Sequence, residues 1–157
     1  MQQTKLTRRG FTLAGGAAVG ALAVPTAAQA APVKKRVAAL VDIKVGEPTA
    51  FSYPDNEPAY LVDLGHAQAG GVGPKRSLVA YSALCQHMGC PVNFDAKTDH
   101  FVCPCHASVF DPARNGEVLE GPSTRGLPRI RLRVDGDAVY AVGIEHGIVY
   151  GRACNQS

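Results

Sequence analysis

Residues 85–108 read CQHMGCPVNFDAKTDHFVCPCHAS and contain four of the five cysteines in the chain. The stretch holds two clusters, and each offers one cysteine and one histidine: Cys85 with His87, and Cys103 with His106. Two cysteines and two histidines can hold zinc or an iron–sulfur cluster, so the ligand types alone leave both open. The sequence therefore predicts a metal centre built from two loops.

Two further cysteines, Cys90 and Cys105, occupy equivalent places beside the two loops. A disulfide at these places would pin one loop to the other, and a zinc site has no evident need of such a brace. Free thiolates so close to a zinc ion would also compete as ligands. The additional cysteines therefore favour an iron–sulfur cluster.

The two clusters resemble the metal-binding boxes of the Rieske iron–sulfur proteins, C-x-H-x-G-C and C-P-C-H-x-S, and they match both boxes in full. The matching residues are Cys85, His87, Gly89, Cys90, Cys103, Pro104, Cys105, His106 and Ser108. The resemblance implies a Rieske-type domain with two cluster-binding loops and one [2Fe–2S] cluster per chain. It also implies a disulfide between Cys90 and Cys105.

The metal ligands are assigned by the same resemblance. Cys85 and Cys103 would bind one iron, and His87 and His106 would bind the other. Neutral imidazoles in place of two thiolates remove negative charge, so reduction potentials rise from about −400 mV to between about −150 and +300 mV. Imidazole N–H groups that face solvent also couple proton loss to oxidation of the cluster.

Residues that follow the second box adjust the expected potential. In quinol-oxidising Rieske proteins a serine two places after the second histidine donates to a bridging sulfide, and a tyrosine two places later donates to a ligand sulfur. Ser108 matches the serine, whereas Phe110 has no hydrogen bond to donate. We expect a potential below that of quinol-oxidising relatives and well above that of ferredoxins. Gly121-Pro122-Ser123 resembles the family's cluster-covering proline loop, although an ordinary turn fits these residues equally well.

The rest of the chain predicts an all-β domain of small antiparallel sheets. Alternation over residues 129–134 predicts a strand whose three apolar side chains face inward and whose three arginines form a solvated face. Asp135-Gly136 predicts a tight hairpin turn into residues 138–142. Further short apolar runs, separated by turn residues, lie at 37–45, 59–64, 77–84 and 100–103.

The first thirty residues have the layout of an export signal. Arg8 and Arg9 precede an apolar stretch over residues 11–24, and small residues follow as a signal peptidase site. The paired arginines resemble a twin-arginine signal, which directs folded proteins to the periplasm. The alternatives are a buried N-terminal helix and an uncut membrane anchor. We expect cleavage after Ala30, which leaves residues 31–157 as one domain.

Composition excludes other classes of protein. The chain has 157 residues, of which 46% are hydrophobic and 18% charged, so it has the composition of a folded domain. The net charge of +3 comes entirely from the first thirty residues, and the remainder carries 13 basic and 13 acidic residues. Charge therefore gives no case for a nucleic-acid partner. Cys154 is left as an unpaired cysteine near the C-terminus.

Most of residues 37–152 resemble the small subunit of bacterial arsenite oxidase. The likeness is carried by residues 103–112, 127–129 and 147–152, together with the leader. It implies a large partner subunit that holds a molybdenum–pterin site and a [3Fe–4S] cluster and oxidises arsenite. This chain, with no active site of its own, would pass the electrons to a periplasmic cytochrome c or an azurin-like copper protein.

Three other functions remain open. The Rieske subunit of a quinol-oxidising cytochrome complex would need an uncut anchor and usually a longer domain, and Phe110 counts against it. A Rieske ferredoxin of a ring-hydroxylating oxygenase is opposed by the leader and by the Cys90 and Cys105 pair. A zinc-stabilised binding module would be colourless and redox-inactive, because zinc has no redox chemistry.

Overall fold

The computed structural model describes residues 33–155, and its regular structure is almost entirely β-strand. The ten strands of this range are β1 (Lys35–Ala39), β2 (Thr49–Ser52), β3 (Pro58–Asp63), β4 (Leu78–Ser82), β5 (Asn93–Asp95), β6 (His100–Val102), β7 (Val109–Asp111), β8 (Glu117–Glu120), β9 (Arg129–Asp135) and β10 (Ala138–His146). Two single-turn 3-10 helices cover Leu40–Asp42 and Pro112–Arg114. No helix within the described range has the length and apolar character to cross a membrane. The predicted signal, including Arg8 and Arg9, lies outside that range.

The larger sheet has six antiparallel strands in the order β1-β10-β9-β4-β3-β2. The predicted hairpin between β9 and β10 is confirmed, because Asp135 pairs with Ala138 across a two-residue turn. Gly136 in that turn has a φ of +61°, a left-handed conformation that glycine adopts without strain. Ile130 and Leu132 point into the core of this sheet, as the alternation predicts. Antiparallel pairing throughout both sheets confirms the all-β class.

The first predicted strand is shorter than the apolar run over residues 37–45. β1 ends at Ala39, and the chain continues into a 3-10 turn in which Val41 is 88% exposed. The cause is the length of the neighbouring strand. Ala39 pairs with Ala138, the first residue of β10, so a longer β1 would have no partner. Leu40 instead donates its N–H to the carbonyl of Asp137 in the hairpin turn.

The arginine face of β9 is not uniformly solvated, which corrects the prediction. Arg131 and Arg133 are exposed, but Arg129 is only 4% exposed. Its guanidinium donates to the side-chain oxygen of Asn115 and lies 3.6 Å from the carboxylate of Glu145. Strand alternation assigns residues to a face, but it does not show that other segments cover one end of that face.

The smaller sheet has four antiparallel strands in the order β5-β6-β7-β8 and carries the predicted metal site. The first ligand loop, residues 83–92, joins β4 of the large sheet to β5. The second ligand loop, residues 103–108, joins β6 to β7. A single hydrophobic cluster packs β4 against this sheet and includes the side chains of Cys85 and Cys103. Both ligand loops are therefore anchored in the same hydrophobic core.

Candidate metal centre

The first ligand loop is a tight turn closed by its own backbone. Cys85 donates its N–H to the carbonyl of Cys90 at 2.9 Å, and Gly89 donates its N–H to the carbonyl of Cys85 at 2.8 Å. Gly89 has a φ of +75°, which reverses the chain direction between the histidine and the second cysteine. The turn presents His87 at its tip while Cys85 stays in the core.

The second ligand loop repeats the same hydrogen-bond pattern. Cys103 donates its N–H to the carbonyl of Ser108 at 2.8 Å, and Ala107 donates its N–H to the carbonyl of Cys103 at 3.0 Å. Ala107 stands four residues after its cysteine, as Gly89 does in the first loop, and has a φ of +56°. The left-handed conformation of this alanine was not predicted from the sequence. The two loops are thus two copies of one turn.

The predicted ligands form an inner and an outer pair. Cys85 and Cys103 are 1% and 2% exposed, whereas His87 is half-buried and His106 is exposed. The two imidazole rings meet edge to face with their centroids 4.9 Å apart. Burial raises the pKa of the Cys85 thiol, and the neighbouring Cys103 thiol adds to this rise. The Cys85 thiol therefore favours its neutral form unless a metal stabilises the thiolate.

One atom of the site tests whether a metal group fits. Nδ1 of His87 is buried and has no hydrogen-bond partner, and it is the one such side-chain atom among the described residues. A buried polar nitrogen without a partner costs about 1–3 kcal/mol, so native proteins rarely leave one unsatisfied. Metal coordination removes that cost. Together with two buried thiols and a second imidazole, this nitrogen fits the two-cysteine, two-histidine ligand set of a Rieske cluster.

The predicted brace between the loops is present as a disulfide between Cys90 and Cys105. Its two sulfur atoms and that of Cys103 all lie within 4.8 Å of one another. Two of these three sulfurs are bonded together and offer no thiolate, so the trio is not itself a metal site. The short distances between the three sulfurs instead show that the disulfide packs directly beside Cys103, one of the two inner ligands.

The predicted covering loop contacts the second ligand loop through Ser108. This serine is fully buried, and its Oγ accepts the N–H of Ser123 at 3.1 Å. Its hydroxyl proton has no acceptor among the described residues and stays available to a bound group. A Cβ on Gly121 would lie 2.5 Å from the Cα of Ser108, so only glycine allows this approach. Pro122, which stands between Gly121 and Ser123 in the sequence, is exposed.

Phe110 lies in β7 and is fully buried in the hydrophobic cluster that contains the two cysteine ligands. It pairs with Phe101 of β6, and neither ring carries a hydrogen-bond donor. The hydroxyl of Tyr81, in the same cluster, donates to the carbonyl of Pro112 at 2.7 Å, and burial raises the pKa of Tyr81. This tyrosine is therefore already engaged and does not replace the donor that Phe110 lacks.

The remaining histidines and the fifth cysteine lie mostly at the surface. His66 and His146 are exposed, while His100 is half-buried at the start of β6. Cys154 is exposed with a free thiol. A residue that the sequence did not single out, Tyr150, contacts the first ligand loop. Its only signal was its place in the segment 147–152 that carries the resemblance.

Comparisons with known proteins agree with this site. A profile of the Rieske [2Fe-2S] domain matches residues 34–131. The iodate reductase subunit IdrB of Denitromonas iodatirespirans is 40% identical over 97% of this chain and 88% of that protein. The subunit of the same name from Pseudomonas sp. (strain SCT) is 38% identical over 93% and 82%. The soluble domain of Rieske protein II (soxF) from Sulfolobus acidocaldarius has the same fold, with a TM-score of 0.67 at 24% identity over 80% of this chain and 84% of that chain.

Proposed function

This chain belongs to the Rieske [2Fe–2S] family, and on that premise we propose that it is the electron-transfer subunit of an exported arsenite oxidase. Its coarser role, a Rieske electron-transfer subunit of an oxidoreductase, follows from the two relatives that match it along most of their length. The proposal adds the substrate of the complex, the partner subunit and the compartment. Each of these additions has its own support and its own test.

The electron-transfer role is supported by the arrangement of the ligands in an inner cysteine pair and an outer histidine pair. When bound, the [2Fe–2S] group accepts and returns one electron at a time. Cys85 and Cys103 would hold it from the buried side, and the disulfide keeps the two loops at a fixed separation. His87 and His106 form the outer side, where the exposed ring of His106 provides the edge that a partner can contact. Electrons would therefore enter and leave at the histidine side.

The reaction with substrate belongs to a partner subunit in this proposal. Oxidation of arsenite to arsenate takes an oxygen atom from water and releases two electrons and two protons. A large subunit with a molybdenum–pterin site and a [3Fe–4S] cluster would perform this step. The chain described here would pass both electrons, singly, to a periplasmic cytochrome c or an azurin-like copper protein.

The arsenite assignment is supported by the resemblance in three segments, 103–112, 127–129 and 147–152. Each segment contributes to the structure of the domain. The first contains the second ligand loop, the second ends at the buried Arg129, and the third places Tyr150 against the first ligand loop.

Iodate reduction is a second candidate, and the relatives favour it. Both full-length relatives carry the name of an iodate reductase subunit. In that case electrons would run in the opposite direction, from a soluble donor through this chain to the large subunit. The two candidates share the same cluster, partner class and compartment, and they differ in the substrate and the direction of electron flow.

One preparation of the native complex tests both candidates. The chain is purified from periplasm with whatever subunit stays bound, analysed for molybdenum and iron, and assayed with arsenite plus oxidised cytochrome c and with iodate plus reduced cytochrome c. Arsenite turnover supports the proposal, and turnover of iodate alone replaces it with the second candidate. Iron without molybdenum or a large subunit would instead indicate a quinol-oxidising complex or a free carrier. A His106→Ala variant is the control, because it should stop transfer to cytochrome c and spare dye reduction by the large subunit.

From the leader we also propose export by the twin-arginine route. The mature chain would start at Ala31, and it would contact the membrane only if the leader stays uncut. Replacing both Arg8 and Arg9 by lysine should retain the protein in the cytoplasm. Cell fractionation and the mass of the mature N-terminus check this. Normal periplasmic accumulation of the double variant would refute the route.

A further inference from the structure

An aromatic ring from the C-terminal segment packs directly on the first ligand loop. A Cβ placed on Gly89 would lie 2.4 Å from Cε1 and 2.5 Å from Cδ1 of Tyr150. Real Cβ atoms do not come so close to other atoms, so the ring occupies the space that any side chain at this position would need. The contacted backbone carries His87 two residues earlier and Cys90 one residue later.

The segment that presents Tyr150 is held at several points. Val149 is buried, and its N–H donates to the side-chain oxygen of Asn155 at 3.1 Å. Arg152 reaches back to the turn between β2 and β3, where its guanidinium donates to Asp55 at 2.8 Å and to Glu57 at 2.6 Å. The two Arg152 contacts join positions 97 and 95 residues apart in the sequence, and together with the Val149 hydrogen bond they fix the ring over the loop.

The two ligand loops are therefore covered from outside by different parts of the chain. The second loop is covered by Gly121 and Ser123, which contact Ser108. The first loop has the ring of Tyr150 in the corresponding role. The disulfide joins the loops at their second cysteines, and the covers add a further restraint to the backbone hydrogen bonds within each turn.

We propose that Tyr150 is a positioning residue of the metal centre: its ring holds the first ligand loop closed, fixes His87 and keeps water from that side of the cluster. The proposal rests on the bound cluster and not on the substrate of the complex. With two thiolates and two neutral imidazoles the oxidised centre is neutral and the reduced centre carries one negative charge. Water stabilises the charged form more. Loss of the ring therefore shifts the reduction potential upward.

Hydrogen–deuterium exchange of the cluster-containing protein tests the restraint directly. In a Tyr150→Ala variant we expect peptides over residues 85–90 to exchange about tenfold faster. The hydrogen bond from the Gly89 N–H to the carbonyl of Cys85 would open more often. Peptides over residues 103–108 should keep their wild-type rate and serve as the internal control. Equal acceleration in both loops, or none in the first, would overturn the proposal.

Variants at the same segment separate positioning from general stability. Tyr150→Phe keeps the ring and should keep both the wild-type exchange and the wild-type potential, since the tyrosine hydroxyl has no hydrogen bond among the described residues. Arg152→Gln should loosen the first loop to a smaller extent, which provides a milder variant if Tyr150→Ala does not fold. Ile148→Ala, at an exposed neighbour, is the matched control and should change neither property.

Voltammetry of the same proteins gives the second measurement. The potential should rise in Tyr150→Ala, rise less in Arg152→Gln and stay unchanged in Tyr150→Phe. An unchanged or lowered potential in Tyr150→Ala, with faster exchange of the first loop, would refute the water-exclusion part of the proposal. Because neither measurement uses arsenite, iodate or the large subunit, the result is independent of the substrate assignment.

Discussion

Phe110→Tyr is the substitution that best tests how this domain sets its potential. Phe110 is fully buried among the side chains that include Cys85 and Cys103, and it stands two residues after the buried Ser108. Quinol-oxidising Rieske proteins have a tyrosine there that donates to a ligand sulfur. The variant adds only a hydroxyl to a ring that the core already accommodates.

The expected magnitude follows from the difference between two hydrogen bonds. A bond to a neutral acceptor contributes about 0.5–1.5 kcal/mol and a bond to a charged acceptor about 1.5–3 kcal/mol. Reduction increases the negative charge on the ligand sulfurs, so the added donor should favour the reduced state by about 1–1.5 kcal/mol. For a one-electron couple, where a tenfold change in the equilibrium constant is 59 mV, this is a rise of about 40–65 mV.

Voltammetry and thermal unfolding of the variant decide whether the hydroxyl finds that acceptor. A donated bond raises the potential with little loss of stability. A buried hydroxyl without a partner leaves the potential unchanged and lowers stability by about 1–3 kcal/mol, and this result would refute the reasoning. Phe101→Tyr is a control of equal burial. The ring of Phe101 is surrounded by the rings of Tyr60, Tyr81 and Phe94. It should lose stability without a gain in potential.

Three further predictions concern other parts of the domain. Ser108→Ala removes a buried donor and should lower the potential by about 40–65 mV in voltammetry, whereas an unchanged value would mean that its hydroxyl does not reach the cluster. Arg129→Ala should cost about 2–4 kcal/mol in denaturant unfolding, while Arg131→Ala on the exposed face should cost under about 0.5 kcal/mol; equal losses would contradict the burial argument. Burial alone would raise the pKa of Glu57, but hydrogen bonds, led by that from Arg152, hold it below its ordinary 4.5. Its contribution is present above that value and lost as pH falls through the depressed pKa, so Glu57→Gln should show a shallower acid loss of Tm than the wild type.

The sequence predicted a metal centre on two loops because cysteine and histidine recur together in both of them. Two cysteines and two histidines alone also fit zinc, and it was the resemblance of both boxes to the Rieske family that assigned Cys85, His87, Cys103 and His106 as ligands. The outward position of the two imidazoles was expected from the sequence, but the burial of the two cysteine sulfurs was not. That burial depends on β4 and the small sheet sharing one core, and this packing joins segments that are distant in the sequence.

Local patterns predicted strands well only where the strand's own residues decide its limits. The alternation in β9 and the Asp135-Gly136 turn are properties of a few adjacent residues, and both are confirmed. The end of β1 at Ala39 and the burial of Arg129 depend on where a partner strand or a covering segment lies. Such features are absent from any short window of sequence.

The glycine of the first box illustrates how packing explains a motif that conformation alone does not. Gly89 and Ala107 occupy the same place in two copies of one turn, and both have a positive φ. Since an alanine adopts this conformation in the second loop, at a cost of about 1–2 kcal/mol, backbone strain does not by itself demand glycine in the first. The difference lies in the covers. Tyr150 fills the space beside Gly89, whereas the second loop keeps its alanine because the glycine is on the covering side, at Gly121. Each contact between a loop and its cover thus requires one residue without a side chain. In the first contact the loop provides it, as Gly89, and in the second the cover provides it, as Gly121.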